Sequence, residues 1–193
     1  MDPNLSHHFF TMACNNAWAN HRLLKACAAL SASEFVAARS GFFPSIRATL
    51  NHIVTVDRFY IDALEREANG EPPHPDAHSF FEPTEPFDTC VALRRAQDLA
   101  DERLIRYCEQ LQDGELSRIV TIERPGRTQR DTRIRLLAHL FQHQIHHRGQ
   151  VHAMLSGTTV KPPQLDDFFC AGDAALRAGD FEELGWTEAG IWG

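Results

Sequence analysis

Apolar residues return every three or four positions over four long stretches of this chain, the period of an α-helix with one face turned to a core. The first stretch predicts a helix from about Pro3 to Leu30, with Phe9, Phe10, Ala13, Ala17, Leu23, Leu24 and Leu30 in phase, Trp18 among them, and no internal proline or glycine. Ser31, Ala32 and Ser33 then break the pattern, and Gly41 closes the connection. The second helix is expected from near Pro44, a residue suited to a first turn where its missing N–H would have no partner anyway. It runs to about Ala68, where Asn69-Gly70 stops it. Two of its faces are apolar: one carries Ile46, Leu50, Ile53, Val54, Tyr60, Ile61 and Leu64 with Asp57 among them, the other Val56, Phe59 and Ala63 with His52. Such a helix belongs in the middle of a bundle.

Five prolines between Glu71 and Pro86 exclude a helix there and leave a long loop expected to lie over the bundle. A third helix is predicted over Phe87–Gln112 and stopped by Asp113-Gly114. The run Leu116 to Arg130, with β-favouring Ile119-Val120-Thr121-Ile122 and the turn pair Pro125-Gly126, reads as a short hairpin. The fourth helix is expected over Asp131–Ser156, capped by Gly157, with irregular chain beyond it. The fold class is therefore all-α: a four-helix bundle over residues 1–170 with a short β-hairpin before the last long helix, and a C-terminal tail over 171–193.

Composition adds exclusions. The 193 residues are 43% hydrophobic and 23% charged, which suits one folded domain and excludes a largely disordered chain. No run of about 18 apolar residues predicts a membrane-spanning helix, and the N-terminus lacks the basic and apolar regions of a secretory signal, so a cytoplasmic protein is expected. A net charge of −7 argues against nucleic acid as a partner, and the densest basic stretch, Arg124 to Arg135, reads as a solvated loop surface. Cys14, Cys27, Cys90, Cys108 and Cys170 are scattered and unpaired by motif, so reduced thiols are expected.

Histidine changes the picture. Five of the 11 histidines fall between His139 and His152. At about 100° per residue His143 and His147 stack on one face, within about 60° of Leu136, Leu140, Val151 and Met154. His139, His146 and Gln150 lie on the adjoining flank, and His152 points elsewhere. Two imidazoles four residues apart on a helix can hold one metal ion, with a third ligand from another helix, for which His52 is the candidate. The bland alternative is a set of hydrogen-bonded core histidines. Gln144 after His143 replaces the glutamate of the zinc-protease pattern, and no serine or cysteine nucleophile motif and no phosphate-binding loop is present. Asp57 reads as a buried salt bridge or helix–helix hydrogen bond, and Arg148 and Gln150 as links from the last helix to its neighbours.

Several segments together resemble the DinB family of bacterial four-helix-bundle metalloproteins: Asn15 to Asn20 with Arg22-Leu23-Leu24; Gly41 to Ile46, Thr49 to Ile53 and Asp57-Arg58; His139 to Gln150; and Pro162 to Asp166. The resemblance implies one divalent transition metal ion, zinc or nickel ahead of iron or manganese, held by His52, His143 and His147. It also implies a homodimer and, in some relatives, transfer or isomerisation with a low-molecular-weight thiol. The expected function is a metal-dependent enzyme with an open three-histidine site acting on a small molecule, a thiol-dependent S-transferase ahead of a hydrolase. The alternatives are a non-catalytic metal-binding or stress-related bundle, and a bundle whose histidines are structural.

Overall fold

The computed structural model describes residues 4–193. Four long helices form the bundle: α1 (Leu5–Cys27), α3 (Ile46–Ala68), α4 (Cys90–Glu109) and α5 (Arg133–Leu155), with a short α2 (Ala32–Val36) after the first. Each of α1 and α3 packs against both α4 and α5, so the order around the bundle is α1, α4, α3, α5: α1 sits diagonally from α3 and α4 from α5, while the consecutive pair α3 and α4 are neighbours. The long connections make that order attainable.

The helix ends follow local hydrogen bonding more than the apolar period. The expected start at Pro3 lies outside the described residues, and Asn4 caps α1 by accepting from the His7 amide. Helix α3 starts two residues after Pro44, because the Ser45 hydroxyl accepts from the Ala48 amide and fixes the cap there. Ser31, predicted only as a break, caps α2 in a reciprocal pair with Glu34. Asp131 and Thr132, assigned to the last helix by sequence, belong to the hairpin of β1 (Ile119–Arg124) and β2 (Arg127–Thr132), which pair antiparallel with Ile119 opposite Thr132. Gly126 takes φ +75 in its turn, which a side chain would resist. The proline-rich loop carries a 3-10 turn, Ala77–Phe81, that sets Phe80 and Phe81 against Phe59.

The core has two apolar ends. One gathers Phe9, Phe59, Leu64, Leu104, Leu140 and Phe141, the other Leu24, Leu50, Ile53, Leu93, Val151 and Leu155. The waist between them is polar and buried: Asn16 and Asn20 from α1, Asp57 from α3, Gln97 and Asp101 from α4, Gln144 and Arg148 from α5. The Arg148 guanidinium donates to Asn16, Asn20 and Gln144, and the Asn16, Asn20 and Gln97 amides donate to Asp101 at 3.0–3.1 Å. Gln97 and Gln144 donate to Asp57. Asp57 thus makes helix–helix hydrogen bonds, and Arg148 links α5 to α1, as expected.

The residues after the bundle are not irregular throughout. They form α6 (Ala174–Leu184), closed by Gly185 in the left-handed region, and α7 (Glu188–Trp192). Phe168, Phe181 and Ile191 cover Trp18 on α1. Buried Arg177 holds the segment together, with both Glu188 oxygens at 2.8 Å and the Asp167 and Cys170 carbonyls at 2.9 Å. The apolar content of this stretch is low because a few large rings do the covering.

Candidate metal centre

Helices α3 and α5 bring His52, His143 and His147 together at the level of the polar waist but on the outer side of α5. One ring nitrogen from each lies within 4.8 Å of the other two. His52 Nε2 and His143 Nε2 are 2.9 Å apart, and His143 Nδ1 is buried with no hydrogen-bond partner among the described residues. His147 is buried, while His52 and His143 are half-buried. Phe43 closes the inner side, its ring 4.4 Å from that of His52 and 5.6 Å from that of His147. Its loop runs close over α5, where a Cβ on Gly41 would displace the end of the Met154 side chain.

Burial depresses the basicity of all three rings. Desolvation, then repulsion from His147, lowers His52 to about 4. Desolvation, then the neighbouring imidazoles, lowers His143 to about 3. Desolvation also lowers His147, against the opposing effect of its bond to Gln150. Near neutral pH the cluster is therefore three uncharged imidazoles with lone pairs available, the protonation state a metal requires. The donor set fits a divalent ion: all-nitrogen, converging, with one ring left short of hydrogen bonds.

Gln150 was expected to join helices, and the structure corrects that. Its oxygen accepts from His147 Nδ1 at 2.8 Å while its amide nitrogen donates to His146 Nε2 at 3.1 Å. The two contacts fix the amide's orientation and hence the His147 tautomer, leaving Nε2 as the free donor. Its spacing of three from His147 was a usable signal. His139 lies beside Tyr60, ring centres 5.2 Å apart, at the edge of the cluster. His152 faces away and bonds the Pro163 carbonyl at 2.9 Å.

The cluster forms one wall of a cavity of about 460 Å³, in the range of small-molecule sites. Phe42, Phe59, Tyr60, Phe81 and Arg124 complete it. A larger hollow of about 730 Å³ outside α4 is lined, among the described residues, by no histidine, cysteine or carboxylate and offers no comparable donor set. The basic stretch is also not simply a solvated surface. Arg127 and Arg130 are exposed, but Arg133 is buried against Glu67 and Glu115, and Arg124 turns back over the Phe59 ring at 4.6 Å.

No helix among the described residues is long and apolar enough to cross a membrane. Comparison with curated proteins gives no match. Among solved structures the chain is similar to a DinB-like protein from Bacillus cereus, at 15% identity and a TM-score of 0.54, over 76% of this chain and 90% of that one, a likeness of fold. The family model described as the DinB family matches residues 2–173. The chain belongs to the DinB family.

Proposed function

We propose that the protein binds one divalent transition metal ion through His52, His143 and His147 and uses it as a metal-dependent enzyme on a small molecule, with S-transfer from a low-molecular-weight thiol as the leading reaction. The observation that carries the reading is the convergence of three neutral imidazoles on the wall of an open cavity. Three protein ligands leave a coordination position for a substrate, the arrangement of catalytic sites, where a structural site would be closed by four. A bound divalent ion would supply Lewis acidity that makes a thiol or water at that position easier to deprotonate.

The chain's own residues set the surroundings. Gln150 holds His147 in one tautomer, and the Phe43 ring packs against those of His52 and His147. In S-transfer the thiol sulfur bonds to an electrophilic carbon, the leaving group departs with its electron pair, and the thiol proton passes to solvent. Among the described residues no carboxylate lines the cavity, but His139 and His146 do, and they are the side chains placed to accept a proton there, from a thiol or from water.

The test is metal content of protein purified without a polyhistidine tag, wild type against His143→Ala/His147→Ala. About one divalent ion per chain, lost in the folded double variant, is expected from a three-ligand site. A screen of thiols against electrophiles on the loaded protein then separates an enzyme from a binding module. If the wild type takes up no zinc, nickel or iron, the histidines are structural and the reading fails.

A further inference from the structure

Arg124 is a cation without a counter-ion in a chain that carries 26 acids against 19 bases. Among the described residues no carboxylate lies within ion-pair distance of it. It is held firmly all the same. Its Nε donates to Gln129 at 2.7 Å, its Nη2 donates to the Tyr60 hydroxyl at 3.1 Å, and its Cζ lies 4.6 Å from the Phe59 ring centre. Its Nη1 has no hydrogen-bond partner among the described residues. Because the Tyr60 oxygen accepts from Arg124, its own O–H is left to donate elsewhere. Both groups line the cavity that the histidines line.

The rest of the cavity agrees in sign and in polarity. Among the described residues no carboxylate lines the cavity to repel an entering anion, although the protein as a whole is acidic. The walls between the histidines and Arg124 are aromatic, and Phe42 stands 80% exposed at the edge, an apolar surface with nothing of the chain over it. A guanidinium fixed by stacking and two hydrogen bonds is a preorganised oxyanion donor, which loses little freedom on binding.

We infer that Arg124 and Tyr60 form an anion-recognition subsite, and that the cavity takes a small organic carboxylate lying along the aromatic wall with its opposite, metal-seeking end at the histidines. The assignment of the far end rests on the metal reading above; that of the carboxylate end does not. Arg124 sets specificity by selecting charged over neutral substrates.

The test compares an ω-mercapto acid with its methyl ester. Binding of 3-mercaptopropionate and methyl 3-mercaptopropionate to zinc-loaded protein is measured by calorimetry, with zinc content determined for each sample. The wild type should prefer the acid by roughly tenfold or more, the scale of a charge-assisted hydrogen bond in a partly dry site. Arg124→Gln should bring the ratio close to one with the ester's affinity unchanged, and Arg124→Lys should keep part of it. Equal binding of acid and ester by the wild type, or a preference that survives in Arg124→Gln, overturns the inference; the latter would mean that the carboxylate sits on the metal. If the wild type holds no zinc, the metal reading fails separately. The anion subsite is then decided on the metal-free protein with 3-phenylpropionate against 3-phenylpropanol: a wild-type preference for the acid that Arg124→Gln removes supports it, and no preference in the wild type, or one that survives in Arg124→Gln, overturns it.

Discussion

Two polar clusters sit back to back on α5, one residue apart in sequence and opposite in character. His143 and His147 face outward to the cavity, while Gln144 and Arg148 face inward to the waist of the bundle. The inward cluster is densely bonded: every side chain in it bonds to another, the bonds run across all four helices, and only Asp57 Oδ1 is left without a partner among the described residues. The outward cluster is not. Its rings share one short nitrogen–nitrogen contact, and one buried nitrogen has no partner among the described residues. Buried polar groups bonded across several helices specify a fold, whereas ring nitrogens that converge on a cavity without bonding to the rest of the bundle are placed for something to bind. The difference separates structure from function on a single helix.

The contrast breaks if the two clusters depend on each other, and the largest effect should come from Arg148→Met. It removes the only cation from a buried network that holds two carboxylic acids, and truncating one partner of such a set costs about 3–5 kcal/mol. Denaturant unfolding should show that loss, with metal stoichiometry unchanged in the fraction that folds. Loss of metal from a fully stable Arg148→Met protein would mean that the waist serves the site directly.

Gln150→Leu probes the other side. It should leave stability within about 0.5 kcal/mol, since Gln150 is half-buried and its bonds go only to histidines. Metal affinity should fall by roughly 10–100-fold, because His147 loses the acceptor that fixes its tautomer. Competition with a chromogenic chelator measures this. An unchanged affinity would show that the ring orientation is set by packing against Phe43.

The sequence made one of these clusters far more visible than the other. His143 and His147 announce themselves by a spacing of four on an apolar face, and His52 by standing alone on an apolar strip. The waist leaves a weaker trace. Asn16 with Asn20, Gln97 with Asp101 and Gln144 with Arg148 are each four apart, but polar pairs at that spacing normally mark solvated helix faces. Only the assembled bundle turns three such pairs toward one another. The α6–α7 segment was hidden for a related reason, since it is held by isolated contacts, Arg22 with Asp180 across to α1 and Arg177 with Glu188 inside the segment, and by a handful of rings. The long helices were legible because their burial repeats; these contacts occur once.

The smallest expected effect is a difference in how the two clusters respond to pH in the metal-free protein. His52 and His143 have folded pKa values near 4 and 3, below the ordinary value of about 6.5, so their contribution to stability is complete above about pH 6.5 and is lost on acidification. The carboxyls of the waist behave in the opposite sense. Burial raises Asp57 to about 6 and, with repulsion from Asp57 added, raises Asp101 to about 8; hydrogen bonds from the amides and the charge of Arg148 oppose both shifts. Their folded states hold protons that the unfolded chain has released, so they stabilise at low pH and lose that contribution as pH rises through those values. Between about pH 4 and 6 the two clusters nearly cancel. Above about pH 6.5 the histidines no longer titrate in either state, and Asp101 alone should lower stability, by up to about 2 kcal/mol by pH 8. Urea unfolding at pH 6.5, 7.5 and 8.5 should show the decline in wild type and a flat profile in Asp101→Asn, which mimics the neutral acid. A flat wild-type profile would mean that Arg148 and the three amide donors already hold Asp101 as a carboxylate at pH 6.5. The waist would then be an ionised network, and the contrast with the uncharged histidine cluster would become one of charge as well as of bonding.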